Sequence, residues 1–474
     1  MRQVYALVAS ACVAALSGCA TTTGGQTEVS SSSSVKEFPQ FNVYETTLKN
    51  GLKVLVKEDH RAPIMVSQVW YKVGSTYEEN GTTGLSHVLE HMMFKGTQKY
   101  GPNEFSRIVA ANGGRENAFT GQDYTGYYQQ MEKSRLPVSF ELEADRMHNL
   151  KLLEQEFKKE VQVVMEERRM RTDDDPQSLT YEQLNATAYI NSPYRVPVIG
   201  WMDDLKDMSV DDLAKWYRTW YVPNNATVVV VGDVDHKDVF AMAEKFFGPI
   251  PSGKVPKLKQ RREVAQKGER RLNVKAPAKV PYLIMAYKVP SVGYTTEEWE
   301  PYALEVASAV LDGGGSARFT KRLIRGSAIA AGTGVGYNAF TPGQELFIVS
   351  ATPNQGKTII ELEKAVKAEI LRLKDEPVTT DELNRVKAQV TASKVYEKDS
   401  TYGQAMAIGV METTGYGWQL GEQLLEKIKA VTPEQIQAVA KRYFVDDGLT
   451  VAVLDPQPID ADAPSPARMK GGAH

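Results

Sequence analysis

The sequence predicts an α+β protein made of two copies of one domain. Three observations lead to this prediction. Strand-like and helix-like segments are mixed along the chain, a helix–strand pattern recurs at a fixed offset, and a stretch rich in Pro, Gly and Lys separates the copies at 249–271. The length of 474 residues exceeds one ordinary domain, and 42% apolar with 24% charged residues is typical of globular proteins.

The N-terminal segment predicts export. Arg2 precedes an apolar run at 4–16 that is too short to span a bilayer as a mature helix, and small residues follow it. Leu16-Ser-Gly-Cys19 resembles the bacterial lipobox, which predicts a signal peptide at 1–18 and lipidation of Cys19. An ordinary secretory signal is the alternative. Because Ala20 resembles an outer-membrane sorting residue, the predicted location is the periplasm of a Gram-negative bacterium, with a lipid anchor in the outer membrane.

The amino-acid composition limits which metal ligands and partners the mature chain can have. Both cysteines, Cys12 and Cys19, lie in the N-terminal segment, so the mature domains have no disulfide and any metal must be bound by His and carboxylate side chains. The net charge of −3 gives no support to a nucleic-acid partner, and contact with a membrane is expected through the lipid anchor. The Ser- and Thr-rich stretch at 19–37 predicts a flexible tether.

Strands are predicted before the first helix. Residues 48–59 have the pattern strand, Asn-Gly turn, strand, and 64–73 have the pattern of a further strand. Leu85, Leu89 and Met92 then recur at helical spacing, which predicts a helix directly after these strands.

This helix carries the motif His87-Val-Leu-Glu90-His91. His87 and His91 are four residues apart, so both imidazoles project from one face and can bind one metal ion. Glu90 lies beside that face, within reach of a water molecule on the metal. The order is that of a metalloprotease motif in reverse. A helix with two incidental histidines is the alternative.

A second predicted helix, at 154–170, carries paired carboxylates. Glu160 and Glu167 are seven residues apart and therefore share one face, close to the apolar Phe157 and Val164. A buried carboxylate is costly unless it is paired or bound to metal. We therefore predict Glu167 as the third metal ligand and Glu160 as a residue that orients a ligand. A solvated acidic helix is the alternative.

The repeat appears where a helix is followed by a strand. Ser209 aligns with Thr432 and Thr227 with Thr450, both at an offset of 223 residues, with matching apolar positions between them. The second copy has no histidine before His474, so only the first copy can hold a histidine-based metal site.

These motifs together resemble the pitrilysin or insulinase-type inverzincin peptidases, which include the mitochondrial processing peptidase. That family has H-x-x-E-H followed by a glutamate ligand some 75 residues later, and here 75 residues separate His91 from Glu167. Residues 113–127 also match the family pattern G-G-x-x-N-A-x-T-x-x-D-x-T-x-Y.

The resemblance implies a zinc-dependent endopeptidase acting on peptides or unfolded polypeptides. It implies one Zn²⁺ per chain on His87, His91 and Glu167, with Glu90 as general base. It also implies that extended peptide docks on an edge strand, which here contains Asn117, Ala118, Phe119 and Thr120.

The fold implied by the resemblance is a pair of homologous α/β-roll domains, each an antiparallel sheet packed with helices, facing each other across a cleft. The corresponding ranges are a zinc-binding peptidase domain at 38–250, a linker at 251–270, a domain without metal at 271–457 and a flexible tail at 458–474.

One departure concerns the second half. Many members supply an Arg and, seven residues later, a Tyr that hold the substrate. Arg325 fits the first position, but Gly332 occupies the second and the nearest tyrosine is Tyr337. We therefore expect this chain to be the zinc subunit of a heterodimer whose homologous partner supplies that pair, or else a homodimer. A non-catalytic assembly or scaffold subunit of the same fold is the competing hypothesis.

Overall fold

The computed structural model describes residues 35–459, so the predicted signal peptide, Cys19, most of the tether and most of the tail lie outside the described residues. Within 35–459, the strands form two sheets, one in each half of the chain. The elements of the first half are β1 (Lys36–Phe38), β2 (Val43–Thr47), β3 (Lys53–Glu58), β4 (Ile64–Tyr71), α1 (Leu85–Met92), α2 (Glu104–Ala111), β5 (Arg115–Thr120), β6 (Thr125–Glu132), α3 (Leu136–Asn149), α4 (Glu154–Arg168), α5 (Pro176–Ala188), α6 (Met202–Asp207), α7 (Val210–Trp220), β7 (Ala226–Gly232) and α8 (His236–Phe246).

The second half repeats this plan after the linker. Its elements are β8 (Arg270–Pro277), β9 (Tyr282–Val289), α9 (Glu300–Asp312), β10 (Ala330–Gly336), β11 (Glu345–Pro353), α10 (Ile359–Asp375), α11 (Thr380–Glu397), α12 (Thr401–Thr413), α13 (Trp418–Ala430), α14 (Pro433–Tyr443) and β12 (Leu449–Gln457).

The five strands of the second sheet are arranged like five of the seven strands of the first. The first has the order β1-β2-β3-β7-β4-β6-β5, and the second, listed in the same direction, is β8-β12-β9-β11-β10. In each, the strand after the repeated helix pairs in parallel with one neighbour and antiparallel with the other. The helices before these strands both begin with a capping box, formed by Ser209 with Asp212 and by Thr432 with Gln435. The predicted fold of two homologous α+β domains is confirmed.

Each sheet is covered on one face by helices of its own half and on the other by a helix from the opposite half. Ala405 and Ile408 of α12 pack on Val229 of the first sheet. Conversely, Leu184 of α5 packs on Ile284 of the second sheet. Each half therefore contributes one helix that covers the sheet of the other half, α5 from the first half and α12 from the second.

The contact between α12 and the first sheet depends on a glycine. A Cβ atom at Gly409 would lie only 2.1 Å from the ring of Trp70, so only glycine lets the helix backbone approach this closely. Polar contacts surround this packing of α12 on the first sheet, including the hydrogen bond from Lys53 Nζ to Glu412 Oε1 at 2.6 Å.

The predicted tether extends too far along the chain. Lys36 and Glu37, assigned to it from composition, instead belong to β1, which pairs with β2. An ion pair of 2.9 Å between Lys36 and Glu45 and the packing of Phe38 against Trp418 stabilise this strand. Among the described residues, no helix is both long and apolar enough to cross a membrane.

Candidate metal and active site

Helix α1 is fixed at its start by a buried carboxylate. Gly84 precedes it with φ 92°, a left-handed conformation that favours glycine. The carboxylate of Glu78, which is 2% exposed, accepts hydrogen bonds from the backbone N–H groups of Gly84 and Ser86, both at 2.7 Å. These bonds satisfy donors that the first turn of a helix leaves free. Burial raises the pKa of Glu78 to about 7, although both amide bonds oppose the shift.

The apolar side of α1 packs into the core of the first half, which turns its histidines toward α4. The side chains of His87 and His91 are 12% and 9% exposed, so both are largely shielded from solvent. The buried residues of α1 are Leu85, Ser86, Val88, Leu89 and Met92.

Both imidazoles meet the carboxylate of Glu167. Its Oε2 lies 3.9 Å from Nε2 of His87 and 3.5 Å from Nε2 of His91. One donor atom from each of the three residues lies within 4.8 Å of the others. Donor atoms in a tetrahedral zinc site with bonds of about 2.0–2.2 Å are about 3.3–3.6 Å apart. The donor set and its spacing therefore fit a zinc ion after small side-chain movements.

Glu160 lies behind His91. Its Oε2 is 3.3 Å from Nδ1 of His91, and its Oε1 is 2.7 Å from Nζ of Lys95. A carboxylate at this nitrogen fixes the orientation of the ring and leaves Nε2 for a metal. Our sequence analysis missed Lys95, whose position four residues after His91 could have indicated it.

The three donor residues have strongly shifted pKa values. Burial, assisted by the neighbouring His91, lowers the pKa of His87 to about 4. Burial also disfavours charge on His91, but Glu160 and Glu167 outweigh it and raise the pKa of His91 to about 9. The same burial opposes ionisation of Glu167, but His91 and His87 overcome it and lower the pKa of Glu167 to about 2.

Glu90 lies beside the three donors without being one of them. The Thr120 hydroxyl donates a hydrogen bond to Oε2 of Glu90 at 2.5 Å, which ties the motif helix to β5. Burial raises the pKa of Glu90, although this hydrogen bond opposes the shift. Arg171, which our sequence analysis did not single out, follows α4 and forms an ion pair with Glu167.

The site opens into a cavity of about 940 Å³. His87, Glu90 and Glu167 lie on one side of it. The cavity is also lined by residues of β5, of α5 and of the second half, among them Ala118, Phe119, Thr120, Gln177, Tyr181, Asn185 and Tyr282.

The predicted substrate strand, β5, forms the edge of the first sheet. It pairs with β6 on one side, and no strand of the described part of the chain pairs with its other side. Asn117 is exposed and its Oδ1 accepts a bond from the backbone N–H of Ala118. Phe119 packs against Trp70, with ring centroids 5.0 Å apart, so part of its surface is committed to the sheet.

Arg325 does not line this cavity. It is exposed in a helical turn of the second half and is not among the residues lining the cavity. The hydroxyl of Tyr337 donates to the Pro290 carbonyl at 2.6 Å. The role of Arg325 in substrate binding therefore stays a prediction, and the hydroxyl of Tyr337 is engaged by the Pro290 carbonyl.

Comparison with known proteins bears on the family. Residues 53–200 match the model described as Insulinase (Peptidase family M16), and residues 207–390 match that of the Peptidase M16 inactive domain. The chain is 32% identical over 416 residues to the zinc protease PqqE of Helicobacter pylori, which covers 86% of this chain and 92% of that relative.

The chain belongs to the M16 peptidase family. It is also 25% identical to the mitochondrial-processing peptidase subunit beta of Lentinula edodes, covering 86% of this chain and 89% of that one. The crystal structure of a protease from Helicobacter pylori superposes with a TM-score of 0.83 at 30% identity, covering 87% and 99% of the two chains. At the level of the M16 family, these relatives support a zinc metalloprotease. The inactive-domain match includes 271–390, which contain no histidine.

Proposed function

We propose that this chain is a zinc-dependent endopeptidase that hydrolyses peptides or unfolded polypeptides, with one Zn²⁺ per chain on His87, His91 and Glu167. The observation that carries the proposal is the convergence of these three donors beside Glu90, a carboxylate that is not needed as a ligand. The direct test is removal of metal by a chelator. Peptide cleavage should be lost and should return with one equivalent of zinc, whereas activity that survives complete removal would exclude the proposal.

In the proposed mechanism, each residue of the site in the first half has a separate role. When bound, zinc supplies the Lewis acidity that activates water for attack on a peptide carbonyl. Glu90 accepts the proton of that water and later donates it to the leaving amine, a role suited to a buried carboxylate with a raised pKa. Thr120 holds Glu90 in place, and Glu160 orients the ring of His91.

The substrate backbone would extend the first sheet along β5. An extended peptide can pair with the free edge through its own N–H and C=O groups, while its side chains alternate between the cavity and the opposite face. Asn117, Ala118, Phe119 and Thr120 would form this contact. Binding through the backbone favours unfolded or short substrates, because a folded protein has no free strand to offer.

A scaffold role is the competing function, favoured by the match of the second half to an inactive domain. Elemental analysis distinguishes the two hypotheses. The peptidase hypothesis requires stoichiometric zinc in the purified protein and loss of proteolysis when Glu90 is replaced. The scaffold hypothesis requires neither.

We further propose that the active enzyme contains a homologous partner, in a heterodimer or a homodimer. Two observations support this. One relative is named as a subunit, and Arg325 and Gly332 do not supply the expected Arg–Tyr pair at the cavity. Activity should rise when the chain is purified with a homologue that lacks the zinc motif. Full activity of the isolated monomer would contradict this.

Lipid anchoring through Cys19 to the outer membrane, facing the periplasm, is also part of the proposal. It rests on the motif Leu16-Ser-Gly-Cys19. Mass spectrometry of the mature N-terminus should find a lipid-modified Cys19, and Cys19→Ala should move the protein from the membrane fraction to the soluble fraction. An unmodified N-terminus elsewhere would rule out the anchor.

Zinc uptake should release about one proton per chain at pH 7. At this pH, His87 is already neutral and Glu167 ionised, but His91, with a pKa of about 9, must lose its proton to bind a metal. Zinc affinity should therefore rise with pH up to about 9. Calorimetric titration of the apoprotein in buffers with different ionisation enthalpies measures this number. A value near zero would contradict the charge assigned to His91.

Replacing Glu160 should weaken zinc binding without abolishing it. Glu160→Gln removes the negative charge behind His91, and loss of such a partner lowers metal affinity by about 10–100-fold. Competition with a zinc chelator measures the change. Glu156→Gln, a neighbouring residue of α4 that pairs with Lys159, is the control and should leave affinity unchanged.

A further inference from the structure

The carboxylates that line the cavity beside the candidate active site are all engaged. They are those of Glu90, Glu167 and Glu182. Glu90 and Glu167 belong to the site described above. Glu182 is 8% exposed and accepts two hydrogen bonds from the guanidinium of Arg168, at 2.7 and 2.8 Å, so its charge is balanced inside the wall. Among residues 35–459, no carboxylate lining this cavity is left to bind a basic side chain of a substrate.

Positive charge on the cavity wall is not balanced in the same way. Arg171 and Arg195 both line the cavity. Arg171 pairs with Glu167. In the described part of the chain, no carboxylate forms an ion pair with Arg195, whose guanidinium donates one hydrogen bond, to Oδ1 of Asn80 at 3.1 Å. A guanidinium has five N–H donors, so most of those of Arg195 are available to a ligand.

The chain segment that carries Arg195 is held by hydrogen bonds. The hydroxyl of the preceding Tyr194 donates to Oδ2 of Asp123 at 2.7 Å. The carboxylate of Glu263, whose side chain is fully buried, accepts bonds from the backbone N–H groups of residues 190–192 at 2.9 to 3.1 Å. Because this backbone is already ordered, little conformational entropy is lost there when Arg195 binds a ligand.

Helix α5 presents uncharged side chains to the same cavity. Gln177, Tyr181 and Asn185 line it, and they follow one another at intervals of four residues along one face of the helix. Tyr181 is 47% exposed, a large aromatic surface open to a ligand. Apart from the balanced Glu182, this wall therefore offers nothing that would attract a cation.

We propose that Arg195 selects substrates with an acidic side chain near the scissile bond, an inference that rests on the proposed peptidase function. A guanidinium can form two parallel hydrogen bonds with the carboxylate of an Asp or Glu side chain. A Lys or Arg side chain at the same position would instead meet a like charge with no carboxylate to offset it, and such repulsion is an effective basis for specificity. The preferred substrate class is therefore extended acidic peptides.

Peptides that differ at one position test this preference. In a set with constant flanking sequence, Glu, Gln or Lys is placed at each position around the cleavage site in turn. At the position that reaches Arg195, kcat/KM for the Glu peptide should exceed that for the Lys peptide by about tenfold or more, the order expected for a hydrogen bond between charged groups. The Gln peptide should fall between them.

Variants of Arg195 identify the residue responsible. Arg195→Gln should remove the difference between the Glu and Lys peptides, and Arg195→Glu should reverse it. Arg195→Lys keeps the charge but not the paired donors, so it should retain part of the preference. Arg218→Gln is the matched control: Arg218 is an exposed arginine of α7, outside the cavity and likewise without a carboxylate partner within residues 35–459, and its replacement should leave the preference unchanged.

Peptide binding to the zinc-free protein distinguishes this inference from the proposed function. Fluorescence anisotropy of the labelled peptides on chelator-treated protein should show tighter binding of the Glu peptide than of the Lys peptide, and Arg195→Gln should abolish the difference. This result would support the role of Arg195 even if no cleavage were found. Equal binding and equal kcat/KM at every position would overturn the proposal, as would a preference that Arg195→Gln leaves intact. Cleavage without that preference would overturn it while the peptidase function stands.

Discussion

Glu90→Gln is expected to reduce kcat for peptide cleavage by about 10²–10⁴-fold, the usual contribution of a general base. Glutamine keeps the size of the side chain and can still accept the hydrogen bond from Thr120, but it cannot take a proton. Because Glu90 is not one of the three donors, zinc content and thermal stability should stay close to those of the unaltered protein. A steady-state assay on a peptide substrate measures kcat, and zinc is measured on the same sample. Together the two measurements distinguish a slower catalytic step from loss of the metal.

The matched control for this variant is Glu166→Gln. Glu166 is next to the predicted ligand Glu167, but its side chain is 49% exposed and paired with Arg169. The same chemical change at this position should leave kcat within about twofold, because an exposed ion pair contributes little. Full activity of Glu90→Gln would show that Glu90 is not the general base.

Glu143→Ala is expected to cause the largest loss of stability, lowering the free energy of unfolding by about 3–5 kcal/mol. Glu143 and Arg146 are both fully buried, and the guanidinium Nε donates to Glu143 at 2.8 Å. The Arg146 guanidinium also lies 4.2 Å from the centroid of Phe105 and 4.4 Å from that of Tyr127. Removing the carboxylate therefore leaves a positive charge buried without its partner.

Denaturant unfolding followed by circular dichroism measures this effect. Glu141→Ala is the control on the same helix: its carboxylate is 43% exposed and pairs with Lys99, so its loss should cost no more than about 1 kcal/mol. Glu143→Gln should fall between the two, because an amide can retain the bond from Gln129 only after turning its oxygen toward that donor. Equal stability of the two alanine variants would mean that groups other than Glu143 compensate the buried charge of Arg146.

Local patterns in the sequence predicted much of the fold and of the candidate site. The four-residue spacing of His87 and His91 and the helical character of α4 depend on nearby residues, and the structure brings both histidines to Glu167. The duplication was visible because a cap, a helix and a strand recur in the same order. Lys36 and Glu37 were misassigned because the partner that orders them, β2, cannot be recognised from their own composition.

Some of the features that were missed depend on contacts across loops or between separate segments of the chain. Glu78 caps α1 through a loop, whereas Arg171 is four residues after Glu167, a local spacing that could have indicated the ion pair. The bond between Thr120 and Glu90 joins two segments 30 residues apart. A single sequence contains no information on which of many polar residues will meet at such distances.

The exchange of α5 and α12 would couple any movement between the two halves to the shape of the cavity. Helix α5 follows the predicted metal ligands in the chain and forms part of the cavity wall, yet it packs on the sheet of the second half. If one lobe rotates against the other, it carries this wall with it and reshapes the entrance at the same time. A rotation of the halves that opens the cavity for a peptide would therefore also move α5, which forms part of the cavity wall.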